Sequence, residues 1–512
     1  MLAITKTAAL SGIEGVEVTV EADSERGLPS FHIIGLGDTA VKESSERVRG
    51  AILNSGFEYP RGRITVSLSP AWIHKKGSHY DLAVAVGILA SQTILHQKSL
   101  EDRAFIGELT LNGNVSGVRG VLPMMTGLRK KVRQVFVAEE NMDEAEFSVR
   151  DTETEVIPVK NLRELVEILQ GKAKRKIYQG KTGIEEEKDR EHDSSLDFAD
   201  IRGHEEAKEA IVTAVTGKHG LLLIGSPGTG KTMLARRIPT ILPDMTAKEQ
   251  LETSMIYSLA GKLDQYTPYI SRRPFREINK TVTPAGMLGG GMEPMPGEIS
   301  YAHNGILFMD EFLEFPREKT ELLRKPMEDG KIRILRRGQL YVFPASFSLV
   351  AASNPCPCGF LGDETHACRC SQAEIDRYRS RLSGPLRDRM DMCLEIRRVD
   401  YETLENSCTQ SSEQMKKRVM TGVDMQKQRF RGLPIQYNSQ MNEQQLRIFC
   451  RLGKEEKKFM QKAYQMYEMS PRRYHKVLRL SRTIADLEES QEISVRNLAG
   501  ALRYTMFFEE RS

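Results

Sequence analysis

Gly225-Ser226-Pro227-Gly228-Thr229-Gly230-Lys231-Thr232 fits the pattern G-x-x-x-x-G-K-[ST] at every fixed position. The apolar run Leu221-Leu222-Leu223-Ile224 before it reads as a buried strand, and Met233-Leu234-Ala235-Arg236-Arg237 after it reads as the start of a helix. In that context the pattern cradles phosphates: glycines let backbone N–H groups close around the anion, and the helix N-terminus adds its positive end. The bland alternative, a glycine-rich turn without ligand, lacks a reason for the flanking strand and helix. Gly225, Ser226, Pro227, Gly228, Thr229 and Gly230 are therefore assigned to nucleotide binding. Lys231 is assigned to the β- and γ-phosphates and Thr232 to Mg²⁺.

Further along, Ile306-Leu307-Phe308-Met309-Asp310-Glu311 has the pattern of a buried strand ending in two acids. Asp310 at the strand end suits Mg²⁺, held directly or through water, and Glu311 suits the polarising of an attacking water. Such an ending is weak alone, but it lies about eighty residues beyond the glycine loop, a spacing that suits a P-loop ATPase with an insertion. Hydrolysis of a nucleoside triphosphate, with ATP and Mg²⁺ as cofactors, is the expected chemistry.

The 512 residues leave room for two to four domains. Charged residues make up 28% and hydrophobic ones 39%, as in an ordinary soluble protein, and a net charge of +4 neither requires nor excludes nucleic acid. No apolar run approaches the length of a membrane span, and the N-terminus lacks a basic segment followed by an apolar core. Seven cysteines, four of them bunched, suggest a reduced compartment and a metal site. A cytoplasmic protein without a membrane partner is expected.

Val16, Val18 and Val20 alternate with polar residues, as do Ile64, Val66 and Leu68, and both runs read as half-buried strands. Asp81 to Ala90 reads as an apolar helix, and Leu162 to Leu169 as the last helix of the region 1–170. Residues 171–195, rich in Lys, Glu, Gly and Asp, read as an exposed linker. An α/β ATPase region follows over 196–397, with a cysteine-rich insert at 355–371, and then a helical region over 398–512.

The opening Asp197-Phe198-Ala199-Asp200-Ile201-Arg202-Gly203 is joined by Arg273-Pro274-Phe275-Arg276, Pro296-Gly297-Glu298-Ile299-Ser300, Ala302-His303-Asn304-Gly305 and Ser383-Gly384-Pro385-Leu386. Together these runs resemble the bacterial YifB/ComM proteins, the magnesium-chelatase-like AAA+ ATPases, over nearly the whole chain. The resemblance implies an N-terminal α+β domain of the Lon-protease/ribosomal-S5 type, an AAA+ P-loop α/β domain and a C-terminal helical lid. It also implies a homo-oligomer, a hexameric DNA helicase or branch-migration motor on single-stranded or branched DNA, serving recombination of incoming DNA in natural transformation.

The Lon-like region departs from a peptidase. Where Lon proteases carry a Ser–Lys dyad, the matching loop Lys76-Gly77-Ser78-His79-Tyr80-Asp81 puts His79 at the nucleophile position and Leu122 at the lysine position. Leucine cannot activate a hydroxyl, and imidazole in place of serine removes the acyl-forming group. Ser78 has no lysine at the family's base position. Peptidase activity is not expected, and a scaffold role is.

For the motor, the resemblance implies Asn354 as sensor 1, orienting the lytic water. It implies Arg389 of Arg387-Asp388-Arg389-Met390-Asp391 as the arginine finger, with Arg387 the competing choice. Arg472 of Ser470-Pro471-Arg472-Arg473-Tyr474-His475 matches sensor 2. The pairs Cys356/Cys358 and Cys368/Cys370 suit one tetrahedral, structural Zn²⁺; unliganded thiols, disulfides, or His366 in place of one cysteine are alternatives. Cys393, Cys408 and Cys450 stand alone. Lys331-Ile332-Arg333-Ile334-Leu335-Arg336-Arg337-Gly338 followed by Leu340-Tyr341-Val342-Phe343 reads as a hairpin. In related ring helicases such a hairpin faces the pore, so Lys331, Arg333, Arg336 and Arg337 are candidate DNA contacts. Thr283 to Gly291, preceded by Arg272, Arg273 and Arg276, is a second candidate pore loop. The rivals to a DNA motor are a chelatase-type ATPase that remodels a protein partner and a scaffold that uses nucleotide only to assemble.

Overall fold

A computed structural model describes residues 1–174, 176–179, 196–264, 266–406 and 409–505. Cys408 and most of the expected linker, residues 175 and 180–195, lie outside the described residues.

The N-terminal region is α+β. Ala3–Ser11, Glu14–Glu25 and Arg63–Ser69 pair antiparallel, and Ser30–Ile34 joins the last of them in parallel. The alternation read from the sequence sends Val18, Val20, Ile64, Val66 and Leu68 into the core. A second sheet sets Arg103–Ile106, Gln134–Ala138 and Glu155–Val159 in parallel. The helix Asp81–Ser91 is apolar all round because it contacts strands of both sheets and is buried along its whole length. Its one charge, Asp81, is held by Arg47 Nε at 2.7 Å.

The ATPase region is built on a five-stranded parallel sheet. Its spatial order is Phe275–Ile278, Ile306–Met309, Ser348–Ser353, Leu221–Ile224, Met392–Glu395. Both faces of the inner strands are covered, so Leu221–Ile224 and Ile306–Met309 are continuous apolar runs, while the edge strand Phe275–Ile278 carries Arg276 and Glu277. Leu221 and Leu223 face one core, and Leu222 and Ile224 face the other. The first core also takes Met415, Val419, Val477, Leu480, Leu498 and Leu502 from the C-terminal helices. These helices, expected as a separate lid beyond residue 397, thus share a core with the sheet, and Ser412–Arg429 packs on Glu205–Gly217.

The N-terminal region docks on the ATPase region through polar and aromatic contacts. Gly120 N donates to Ser258 O at 3.1 Å, and the Ser258 hydroxyl donates to the buried Glu144 carboxylate. Phe147 stacks on Tyr269 at 4.2 Å, with the Arg150 guanidinium 4.7 Å and 5.0 Å from the two rings. Among the described residues no helix is long and apolar enough to cross a membrane.

Candidate functional site

The glycine loop leaves the C-terminal end of the inner strand Leu221–Ile224 and runs directly into the helix Lys231–Arg237. Gly228 (φ 79°) and Gly230 (φ 82°) are left-handed, a backbone that other residue types adopt only under strain. Lys231 Nζ folds back on the loop, donating to Gly225 O at 2.7 Å and Ser226 O at 2.9 Å, with Asn354 Oδ1 at 3.5 Å. Burial lowers the pKa of Lys231, and Asp310 acts against that shift. Neutral carbonyls leave the ammonium uncompensated in charge, which favours exchanging them for phosphate oxygens.

Strand order brings the other groups to the same edge. Ile306–Met309 and Ser348–Ser353 end level with the glycine loop and deliver Asp310, Glu311 and Asn354 to it. The Thr232 hydroxyl donates to Asp310 Oδ2 at 2.6 Å. One hydroxyl and one carboxylate side by side are the hard oxygen donors that Mg²⁺ prefers. Glu311 sits at φ 51°, a left-handed conformation that is rare outside glycine and tends to mark functional positions. Its carboxylate is paired with Lys280 Nζ at 3.0 Å, a partner that sequence reasoning missed.

Sequence reasoning also missed a cavity of about 830 Å³ beside the loop, lined by His204, Arg398, Val399, Thr403, Lys462 and Tyr467 among others. A Cβ placed on Gly230 would stand 3.6 Å from His204 Nε2, so this cavity and the glycine loop adjoin. Its walls come from the turn after Ile201-Arg202-Gly203, from the segment following Met392–Glu395 and from the C-terminal helices. No single motif could have revealed it.

The arginines lie elsewhere. Asp391 N and Met392 N donate to Gly220 O at 3.1 Å and 2.9 Å, so Arg387-Asp388-Arg389 sits at the start of the strand Leu221–Ile224, the end opposite the glycine loop. Arg389 donates to Glu328 and to Pro385 O, each at 2.7 Å. Arg472 pairs with Asp388 at 3.3 Å, which puts the sensor-2 candidate beside the finger candidate and away from its own chain's Lys231. Arg387 lines a small cavity that also reaches Asn354.

Cys356, Cys358, Cys368 and Cys370 converge, with all four sulfurs within 4.8 Å of one another. The Sγ separations are 3.4 Å for Cys356–Cys358, 3.7 Å for Cys356–Cys368 and 3.6 Å for Cys358–Cys368. Four sulfurs at about 2.3 Å from a tetrahedral Zn²⁺ would be about 3.8 Å apart, so the donor set fits zinc in chemistry and in size. Backbone N–H groups of Arg369 and Phe360 hold the Cys358 thiol down to about 6, while burial pushes Cys356 up to about 12. His366 stacks on Phe360 and turns its Nδ1 toward Asp363, outside the sulfur set. Cys393 and Cys450 are buried singly.

Lys331–Arg336 and Gln339–Pro344 pair as a hairpin closed by Arg337-Gly338, both with positive φ. Lys331, Arg333, Arg336 and Arg337 are exposed, and Arg333 is paired with Asp329. Leu335 and Leu340, which face each other across the tip, are 70% and 53% exposed. The second candidate loop folds as the helix Pro284–Leu288 and a two-residue ribbon, Gly289–Gly290 with Met295–Pro296. Two arginines before it turn inward. Arg273 pairs with Glu249 at 3.0 Å and also donates to Pro243 O and Asn304 O, and Arg276 pairs with Glu298.

In the N-terminal region, His79 is 6% exposed and its Nε2 lies 3.0 Å from Ala8 O, a packing contact. Leu122 is fully buried, and Ser78 donates to Glu108.

Three family models match in order along the chain. They are subunit ChlI of Mg-chelatase over residues 20–141, magnesium chelatase subunit ChlI over 197–404 and the ChlI C-terminal model over 409–505. The competence protein ComM of Haemophilus influenzae is 38% identical over 98% of this chain and 97% of its own length. The YifB protein of Escherichia coli is 37% identical over the same shares, and the protein Rv2897c of Mycobacterium tuberculosis 36% over 97% of each chain. With a Lon-like α+β domain, a phosphate loop on a 2-3-4-1-5 parallel sheet and full-length relatives of this kind, the chain belongs to the YifB/ComM family of magnesium-chelatase-like AAA+ ATPases.

Proposed function

We propose that this chain is the subunit of a hexameric, ATP-driven cytoplasmic motor that moves along DNA and drives branch points, extending heteroduplex when incoming DNA recombines during natural transformation. The competence role comes from the ComM relative.

In this reading Lys231 and the loop amides hold the β- and γ-phosphates, and the cavity beside His204 takes the base. Thr232 and Asp310 would hold Mg²⁺, which would supply positive charge to offset that developing on the phosphates. Glu311 accepts a proton from the attacking water, and Asn354 orients that water. For this Glu311 must leave Lys280.

The observation that carries the ring is the placement of Arg389 and Arg472 at the far end of the strand Leu221–Ile224. Four residues of strand, at roughly 3.3 Å each, separate them from the glycine loop of their own chain, so they serve a neighbour's γ-phosphate. Glu328, which engages Arg389 within one subunit, is released when that arginine meets the neighbour's nucleotide.

The basic hairpin is assigned to the DNA backbone, with Lys331, Arg333, Arg336 and Arg337 following phosphates. The test is the ATPase rate with single-stranded, duplex and four-way-junction DNA. Stimulation by branched DNA, with ATP-dependent movement of the junction, supports the motor. Equal rates on every structure transfer the assignment to a chelatase-type ATPase that remodels a protein partner, which the chelatase models favour.

A further inference from the structure

The loop that carries the four cysteines starts directly after Asn354 and ends just before the helix Gln372–Arg379. No helix or strand interrupts it between Pro355 and Ser371, so its path is set by turns and by whatever joins its two ends. Between the two cysteine pairs it folds back onto the glycine loop. Gly359 is left-handed (φ 87°), and a Cβ there would stand 2.8 Å from Pro227 Cδ and 3.9 Å from Asn354 Cγ. The backbone is therefore pressed against the glycine loop at a position that only glycine satisfies.

Asp363 makes the second connection. Its side chain is 1% exposed, and Oδ1 accepts from Thr365 N at 2.9 Å and His366 N at 3.0 Å. Arg398 Nε stands 3.2 Å from Oδ2 as an ion pair, and hydrogen bonding from Thr365, with Ser226 contributing, holds the carboxyl below its usual range. Ser226 belongs to the glycine loop and Arg398 to the wall of the adjoining cavity. One buried carboxylate thus ties the cysteine loop to both halves of the nucleotide site.

We propose that metal occupancy of the four-cysteine cluster sets the affinity of this chain for nucleotide. Four thiolates on one Zn²⁺ pin the two ends of an otherwise irregular loop, and that fixes Gly359 against Pro227 and Asp363 against Ser226 and Arg398. Loss of the metal frees the ends, and the contacts that shape the phosphate loop loosen with them. The inference rests on the reading of the cluster as a zinc site, and the experiment separates the two.

Full-length, reduced protein is loaded with Zn²⁺, and a portion is stripped with an organomercurial and chelator, reduced and desalted. Affinity for a fluorescent ADP analogue is then measured in excess Mg²⁺. Stripped protein should bind about tenfold more weakly than loaded protein, the loss expected when one charge-assisted contact to a binding loop is removed. Reloading with Zn²⁺ should restore binding. Asp363→Asn keeps all four cysteines, so it should keep its zinc yet bind ADP as weakly as stripped wild type. Equal affinity in loaded and stripped protein, with zinc content measured in both, overturns the coupling and leaves the zinc site standing. A chain that takes up no zinc overturns both. If stripping unfolds the chain, the zinc-loaded Asp363→Asn variant decides, and unchanged affinity there overturns the coupling.

Discussion

In the proposed mechanism Glu311 and Lys231 divide the work at the γ-phosphate, and their variants should fail differently. Lys231→Ala removes the cation that the loop carbonyls hold in reserve, so nucleotide binding itself should weaken and hydrolysis should cease. Glu311→Gln keeps the shape but loses the proton acceptor. It should bind ATP normally and turn over about 10² to 10⁴ times more slowly, as for loss of a general base. Single-turnover hydrolysis alongside equilibrium binding distinguishes the two. Near-normal turnover in Glu311→Gln would remove that residue from its role. Both residues were legible in the sequence because their motifs are local. Lys280, which holds Glu311 in the structure, was not, since only the pairing of Phe275–Ile278 with Ile306–Met309 brings it near.

His79 supplies a second prediction at this scale. Burial lowers its pKa from 6.5 to about 4, against a weaker opposing effect of the contact with Ala8 O. The unfolded chain then binds more protons than the folded one between these values. Stability from this site is fully present above pH 6.5 and is lost as pH falls toward 4. The loss amounts to about 3 kcal/mol, at about 1.4 kcal/mol per pKa unit. Denaturant unfolding of the N-terminal region at a series of pH values should show that decline, and His79→Gln should flatten it. An equal decline in the variant would assign the acid sensitivity to other groups. A titrating nucleophile would also need exposure, which this buried, backbone-bonded imidazole does not have.

At the scale of elements, the hairpin Lys331–Arg336/Gln339–Pro344 was readable from alternation around Arg337-Gly338. Its surroundings were not. Lys76, from the loop that corresponds to Lon's active-site loop, puts its Nζ 3.2 Å from Tyr341 Oη and 3.8 Å from Glu293. The N-terminal region therefore touches the hairpin and a residue just beyond the second candidate loop, and the hairpin contact joins residues 265 positions apart in sequence, which no local pattern encodes. Likewise, the C-terminal helices look like a separate amphipathic unit in sequence, because which core receives an apolar face depends on packing alone. The hairpin makes the prediction here. Arg333→Ala with Arg336→Ala should leave basal ATPase intact, because the nucleotide site is built from other elements. Strand movement should be lost and the salt dependence of DNA binding should flatten, by about 1 in log–log slope per phosphate contact. Unchanged movement would shift the contact to the segment from Thr283 to Gly291.

For the whole molecule, the question is whether one subunit can work alone. The parallel sheet carries its phosphate loop at one end and Arg389, Arg472 and Asp388 at the other, and the interior of the same domain lies between. On the proposed assignment, a lone chain has a complete binding site and an incomplete catalytic one. Arg389→Ala should bind ATP as wild type does and hydrolyse it about 10³-fold or more slowly, the contribution typical of an arginine finger. Lys231→Ala should be inactive for the opposite reason, having a finger and no working loop. Mixed in one ring, the two inactive variants should recover activity, since an Arg389→Ala subunit keeps an intact loop and its Lys231→Ala neighbour supplies an intact finger. Recovery should peak near equal proportions, where such junctions are commonest, and vanish at either extreme. The measurement is the ATPase rate across mixing ratios, with ring formation checked by mass. Mixed rings that stay inactive at every ratio would mean that Arg389 acts within its own chain or not at all, and the competing Arg387, whose cavity reaches Asn354, would take its place.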